Sequence, residues 1–155
     1  MRWVSIVVAS LFFALMASGA ARADGQLANH GTFTDGTVNV ELDTYTDNGQ
    51  VVSLIGMKGN GISISFAFDA SDWPDLLSLW RSARAKSGDK YQTAGSQKEV
   101  GSSAQCVITM AGGPAVKIII VDPTAGALVY VVNPSDQDSF ENDLREIGAM
   151  ATKVN

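Results

Sequence analysis

Nucleophilic catalysis needs a base within hydrogen-bond reach of the nucleophile, and the only imidazole in this 155-residue chain is His30. It sits in a Gly- and Asn-rich stretch, Asn29-His30-Gly31, close to a terminus. That context reads as a solvated end, because chain ends are poorly ordered unless tied down. One His and one Cys cannot complete a closed zinc site without unusual carboxylate ligation. Carboxylates are the better candidates. Asp69, Asp72 and Asp75 surround the start of one helical pattern, and Asp136, Asp138, Glu141 and Asp143 the start of another. Such spacing can hold Ca²⁺, but no EF-hand loop is present, and Asp at a helix start caps amides and meets the positive end of the dipole. The matched Ser71-Asp72 and Ser135-Asp136 pairs are read as caps for the same reason. A hydrolase would need two carboxylates converging in a cleft with one raised pKa, such as Asp43 with Asp69 or Asp72. The glycine-bearing turns lack the G-x-x-x-x-G-K-S/T spacing of a phosphate loop. Sequence therefore assigns no catalytic residue, metal or cofactor.

Cys106 is the single cysteine and can form no internal disulfide. It shares a strand face with Ala104, Ile108 and Met110, which predicts a buried, inert small hydrophobe.

The address is read from residues 1–23. Met1-Arg2, an apolar run over 3–17 and the closing Ala21-Arg22-Ala23 have the parts of a secretory signal, so the mature chain is predicted to start at Asp24 and to be periplasmic or secreted. No lipobox cysteine follows. After cleavage no segment approaches the roughly 20 apolar residues of a spanning helix, so no membrane insertion is expected. Residues 24–155 have the size of one domain. Removing a leader that holds Arg2 and Arg22 and no acid takes the net charge from −5 to −7. The remaining Lys and Arg are scattered, which argues against nucleic acid and against anionic lipid headgroups.

The elements follow from periodicity. Val38, Val40 and Leu42 alternate with Asn39, Glu41 and Asp43; Asp47-Asn48-Gly49 is a turn, and an apolar run over 51–57 completes a hairpin. After Lys58-Gly59-Asn60-Gly61 the alternation resumes with Ile62, Ile64, Phe66 and Phe68. The period then becomes 3.6: Trp73, Leu76, Leu77, Trp80 and Ala83 predict a helix over about 72–86, stopped by Gly88. Residues 87–103 are a polar Gly/Ser-rich connection. Strands over 104–110, 116–121 and 127–132 follow, then a helix with Phe140, Leu144, Ile147 and Ala151 on one stripe, capped by Ser135 and Asp138.

An ungapped shift of 64 residues lays one half on the other, with Gly49 on Gly113, Ile55 on Ile119, Arg81 on Arg145, Leu42 on Cys106, Phe66 on Tyr130 and Trp80 on Leu144. The expected fold is α+β: two βββα units, pseudo-repeats 36–88 and 102–154, with antiparallel sheet and two amphipathic helices sharing one core. The outline resembles the duplicated strand-then-helix arrangements of Whirly and PUR-type proteins in topology alone. None of their sequence motifs occurs here, and no residue role is carried over.

The halves differ in their outward strand positions. The first carries Glu41, Asp43, Tyr45, Ser53, Ser63 and Ser65, as a solvated face should; the second carries Val107, Ile119, Val121, Val129 and Val131, interrupted by Thr109 and Lys117. An apolar face of that kind marks a contact with a protein partner or a second copy, unless the chain covers it. The leading expectation is an exported non-catalytic binding protein, an adaptor, inhibitor or accessory subunit acting through sheet and loop surfaces. The alternative is a carrier of a small apolar ligand, its pocket lined by Phe66, Phe68, Trp73, Trp80, Tyr130 and Phe140. A carboxylate-based hydrolase is third.

Overall fold

The computed structural model describes residues 25–99 and 106–154. The signal over 1–23, the mature start at Asp24 and the start of a strand at Ala104 lie outside the described residues. The elements are β1 (Gln26–Thr34), β2 (Asn39–Asp47), β3 (Gln50–Gly59), β4 (Ile62–Phe68), α1 (Trp73–Ala85), β5 (Gln92–Lys98), β6 (Val107–Gly112), β7 (Val116–Asp122), β8 (Gly126–Val132) and α2 (Gln137–Met150). The strands form two antiparallel meanders, β1-β2-β3-β4 and β5-β6-β7-β8, each followed by a helix. The fold is α+β.

The three-strand unit expected from sequence is corrected by one strand in each half. β1 lies in the stretch read as a solvated end, and β5 in the stretch read as a polar connection. Both are sheet edges, held by backbone ladders to β2 and β6 and by few apolar side chains, so they carry little hydrophobic period. Each also contains a β-bulge, at His30 and at Ala94, which breaks what alternation there is.

Local chemistry fixes the hairpins of the first sheet. Asn48-Gly49 and Asn60-Gly61 all have positive φ, between 48° and 77°, the paired left-handed conformation of two-residue turns whose twist matches the strands they join. In the second sheet, Asp122 Oδ1 accepts the amides of Thr124 and Ala125 at 2.7 and 2.8 Å and closes the β7–β8 turn.

The helices are exchanged between the halves. α1 packs on β5 and β6, whereas α2 packs on β1, β2 and β3; β4 meets β7 and β8, and β3 meets β8. One apolar cluster therefore runs through both sheets and both helices, with Phe66, Phe68, Trp80, Tyr130 and Phe140 fully buried at its centre. Burying side chains of this size contributes about 1.5–3 kcal/mol each. Where the helices pass, Gly148 lies under the Trp73 ring, and a Cβ there would collide with the indole. Glu141 ties the helices further: it accepts Trp80 Nε1 at 2.9 Å and Arg84 Nη1 at 2.6 Å, while Arg84 Nη2 reaches Asp138 at 2.8 Å.

The ladders show where the ungapped 64-residue shift fails. Laying β4 on β8 at that shift puts Phe66 on Tyr130, and the pairing then carries Ile55 onto Ile118, one residue short of it. Leu42 falls on Met110, four residues past it, and Gly31 returns to it on Gly95. The sequence matches Ile55/Ile119 and Leu42/Cys106 are thus replaced: Ile55 and Ile118 both face the core, and Ile119 faces out. The β2–β3 hairpin is the longer one, and its tip holds the C-terminal tail through Thr152 N to Val51 O at 2.9 Å and Val51 N to Thr152 Oγ1 at 2.8 Å.

Candidate functional site

With the ladders as guide, the outer faces of the two sheets can be compared position by position. On the first, the rows are Asn39–Lys58–Ser63 and Glu41–Gly56–Ser65. On the second, the same rows are Val107–Val121–Ala127 and Thr109–Ile119–Val129, followed by Ala111–Lys117–Val131. The polar rows include the Lys58–Glu41 ion pair at 3.1 Å. The first two of these rows stand open, with Val121 42 % and Val129 44 % exposed, Ala127 exposed, and Val107 and Ile119 half-buried; in the third, Ala111 is buried and Val131 half-buried. All five residues expected at the apolar face thus occupy outward positions of three neighbouring strands. Cross-strand contact makes them one patch.

Below these rows both outer faces are covered. Tyr45, Leu54 and Ala67 form a second small buried cluster on the first sheet, with Val52 against it and Gly25 packed on the Tyr45 ring. On the second sheet Gly113 lies against the backbone of Lys90 and Tyr91, and Lys117 Nζ sits 3.7 Å from the Tyr91 ring centroid. Two members of the expected solvated face are therefore buried, Tyr45 and the 7 %-exposed Asp43. A third, Ser53, points the other way: it pairs with Thr44 and Phe68 and donates to the carbonyl of Ile147 at 2.5 Å. Its place was missed because the Thr44–Ser53 pair interrupts the apolar series under the end of α2.

The two inner edges are stopped by carboxylates reaching across the halves. Asp35 Oδ2 accepts the amide of Val131 in β8 at 3.1 Å, and Glu99 Oε1 accepts that of Ala67 in β4 at 3.0 Å. Both donor and acceptor in the first pair stand 64 residues from their counterparts in the second. Asp35 also accepts Thr37 N and Val38 N at 2.9 and 2.8 Å. Partial burial raises its pKa, but the Val38, Thr37 and Val131 amides outweigh this and hold the carboxyl below its usual range.

His30 corrects another expectation, since its side chain is only 12 % exposed and is not a solvated end. The bulge aims it under α2, where Nε2 lies 2.9 Å from Thr44 Oγ1 and Nδ1 3.1 Å from Glu146 Oε1. Hydroxyl, imidazole and carboxylate follow one another as in a nucleophile relay. Thr44 is only 1 % exposed beneath the helix, however, so the chain of bonds fastens β1 and β2 to α2 instead of presenting a nucleophile. The one signal in the sequence was the pairing of a lone His with Gly31, the residue that completes the bulge.

Several acidic groups are held in local structure, though not as the expected caps. Asp72 and Asp136 occupy the N-cap positions of α1 and α2 but make no side-chain cap bond, which corrects the expected capping role. Asp69 organises the first helix start instead: Oδ1 accepts Ser71 N, Ser71 Oγ and Asp72 N, and Oδ2 accepts Val154 N from the tail at 3.0 Å. Burial raises its pKa, and these bonds more than reverse the effect. Asp43 bonds Asn29 Nδ2 at 2.8 Å, and its other electrostatic neighbours are Glu41, Lys58 and His30, so no pair with Asp69 or Asp72 forms. Among the described residues no group of three His, Cys, Asp or Glu could hold a metal, and no helix is long and apolar enough to cross a membrane. Cys106 is buried, and desolvation pushes its thiol up to about 12.

The six residues considered for a ligand pocket lie in the shared core. Five are fully buried and Trp73 is half-buried. Their rings pack on one another: Trp80 on Phe140 at 4.8 Å, Tyr130 on Phe140 at 6.4 Å, Phe68 on Trp73 at 6.0 Å between centroids. No family model matches the chain, and no curated protein is significantly similar to it.

Proposed function

We propose that this is an exported, non-catalytic binding protein, an adaptor, inhibitor or accessory subunit that engages a protein partner through the outer face of β6, β7 and β8. One observation carries the reading: the rows that hold Asn, Lys, Ser and Glu on the first sheet hold Val, Ile and Ala with a single Thr on the second, with Val121 and Val129 open to solvent. Exposed apolar patches of this kind mark contacts. The N-terminal signal supplies the compartment, periplasmic or secreted. Asp35, Asp43, Asp69, Glu141 and His30 are engaged in structural bonds, which supports a binding role over a hydrolytic one.

The test is a Val121→Lys, Val129→Lys double variant compared with the parent protein by in-compartment cross-linking. The variant is expected to keep its fold by circular dichroism and lose its cross-linked species. An unchanged set of species in a folded variant would overturn the reading. Mass spectrometry of the exported protein tests the address, with a mature chain starting at Asp24 as the expected result.

A further inference from the structure

We infer that Asp35 is an edge guard: its carboxylate, seated on the open side of β8, keeps that strand from pairing with β8 of a second copy of this chain. The inference is independent of the contact face proposed above. It starts from a difference among the four strands that end the two sheets. The outer ones, β1 and β5, are rich in Gln, Asn, Thr and Ser, and a bulge interrupts each. Bulges and polar side chains make an edge a poor template for another strand. The inner ones are different. β4 and β8 pair in unbroken register with their neighbours and contain no charged residue and no proline. In β8, residues 127–132 are a run of Ala, Leu, Val and Tyr, and an uncharged six-residue segment of such β propensity on an edge is the kind that stacks on copies of itself.

Each inner edge carries a carboxylate from the other half. Val131 lies opposite Lys117 in the ladder, and its amide points to the open side of β8, where Asp35 Oδ2 accepts it at 3.1 Å. Strand alternation puts the amides of Ala127 and Val129 on that same side, and both residues are exposed. The β1–β2 turn holds Asp35 in place for this contact. Its amide donates to Val38 O at 3.3 Å, and Oδ1 accepts Thr37 N and Val38 N, which leaves Oδ2 for the other half. A strand arriving on β8 must displace Oδ2 from the Val131 amide or bring a carbonyl against a carboxylate, and either course leaves a charge without its partner. The arrangement occurs twice. Glu99 Oε1 accepts the Ala67 amide of β4 at 3.0 Å, so an Asp and a Glu at corresponding positions do the same thing to the two charge-free edges.

The experiment follows the mass of the purified parent and of its variants by light scattering over time, at a temperature at which all are folded. Asp35→Ala is compared with Leu76→Ala, a core truncation that costs at least as much stability without touching an edge. The Asp35→Ala protein is expected to gain mass at least about tenfold faster than either the parent or the core variant, with new hydrogen-exchange protection at residues 127–132. Adding Val129→Pro should return it to the behaviour of the parent, because that amide faces the open side and its loss costs no bond within the sheet. Should the alanine variant not fold, Asp35→Asn carries the test, since it keeps an oxygen for the amides and loses the charge; it too is expected to associate faster than the parent. A folded Asp35 variant with the mass and rate of the parent would overturn the inference. Equally fast association of the Leu76→Ala protein would assign the effect to lost stability and overturn it as well, as would new protection confined to other strands.

Discussion

The outer faces of β2–β4 and β6–β8 share their strand order and the pairing of two rows, on hairpins of different length, and in those rows they differ in their side chains. Where one has Asn39, Lys58 and Ser63, the other has Val107, Val121 and Ala127; where one has Glu41 and Ser65, the other has Thr109 and Val129. Backbone architecture is therefore indifferent to which face is apolar, since the first sheet is stable with polar rows there. The valines of the second face are not required by the fold, and that is what makes them informative about contact. The sharpest way to break the comparison is to make the second face like the first. A Val107→Asn, Val121→Lys, Val129→Ser variant is expected to lose partner binding at least a thousandfold, with an unfolding midpoint close to that of the parent. A midpoint that collapses instead would show that these residues hold the sheet and not the partner.

The carboxylate clasps sharpen the same comparison on the stability side. Asp35 accepts three amides, one of them in the other half, and each such bond to a charged acceptor is worth on the order of 1–3 kcal/mol where it is shielded from water. An Asp35→Ala substitution is expected to cost about 2–3 kcal/mol in denaturant unfolding, allowing for partial exposure, and to raise hydrogen exchange at Val131. The pH dependence has a definite sign. The folded-state pKa of Asp35 is depressed, as are those of Asp69 and Glu141, so the stability they contribute is full above the unfolded carboxylate pKa and is lost as pH falls through the folded value. The acid midpoint of the Asp35→Ala variant should therefore lie nearer neutrality. An unchanged exchange rate at Val131 would mean that the edge is held by something other than this carboxylate.

Sequence periodicity reached the parts of the fold that bury apolar side chains and missed those that do not. β4, β8, α1 and α2 were legible because Phe66, Tyr130, Trp80 and Phe140 repeat at strand or helix spacing. β1 and β5 were not: Gln, Asn, Gly and Thr carry no period, and a bulge in each shifts the register. Local turn chemistry was readable at Asn48-Gly49 and Asn60-Gly61. Long-range polar chemistry was not, because nothing near Asp35, His30 or Asp69 in sequence names Val131, Glu146 or Val154 as a partner. The outward alternation of the second half was visible in the residues themselves, whereas Ser53 was misplaced through the interruption at Thr44. Helix exchange was invisible, since either helix stripe is apolar enough for either sheet.

The two bulges offer a milder contrast. His30 and Ala94 occupy corresponding positions, but only His30 carries polar bonds, to Thr44 and Glu146, while Ala94 packs against the core. A His30→Ala substitution makes the halves alike at this point. It is expected to cost about 1 kcal/mol, the net worth of such bonds at a partly exposed site, and to raise exchange in β1 while leaving β5 unchanged. Equal changes in both strands would mean that His30 acts on global stability and not as a local fastener.

The smallest effect should come from the buried carboxyl on the outer face of the first sheet. Burial raises the Asp43 pKa, with Glu41 adding to it, and the Asn29 bond and Lys58 only partly compensate. A carboxyl whose folded pKa is raised binds its proton more tightly when folded, so its ionisation costs stability above that pKa and the cost disappears as pH falls. An Asp43→Asn side chain has the same shape and keeps an oxygen to accept Asn29 Nδ2, now 2.8 Å away, without the charge. The variant is expected to be more stable than the parent by less than about 1 kcal/mol at pH 7, and indistinguishable from it once Asp43 is protonated. No counterpart exists on the second sheet, where the ladder puts Ala111 at the same place. A destabilised Asp43→Asn protein at pH 7 would mean that the ionised carboxylate is recruited by the layer covering this face, and the two sheets would then differ in how they are closed as well as in what they leave open.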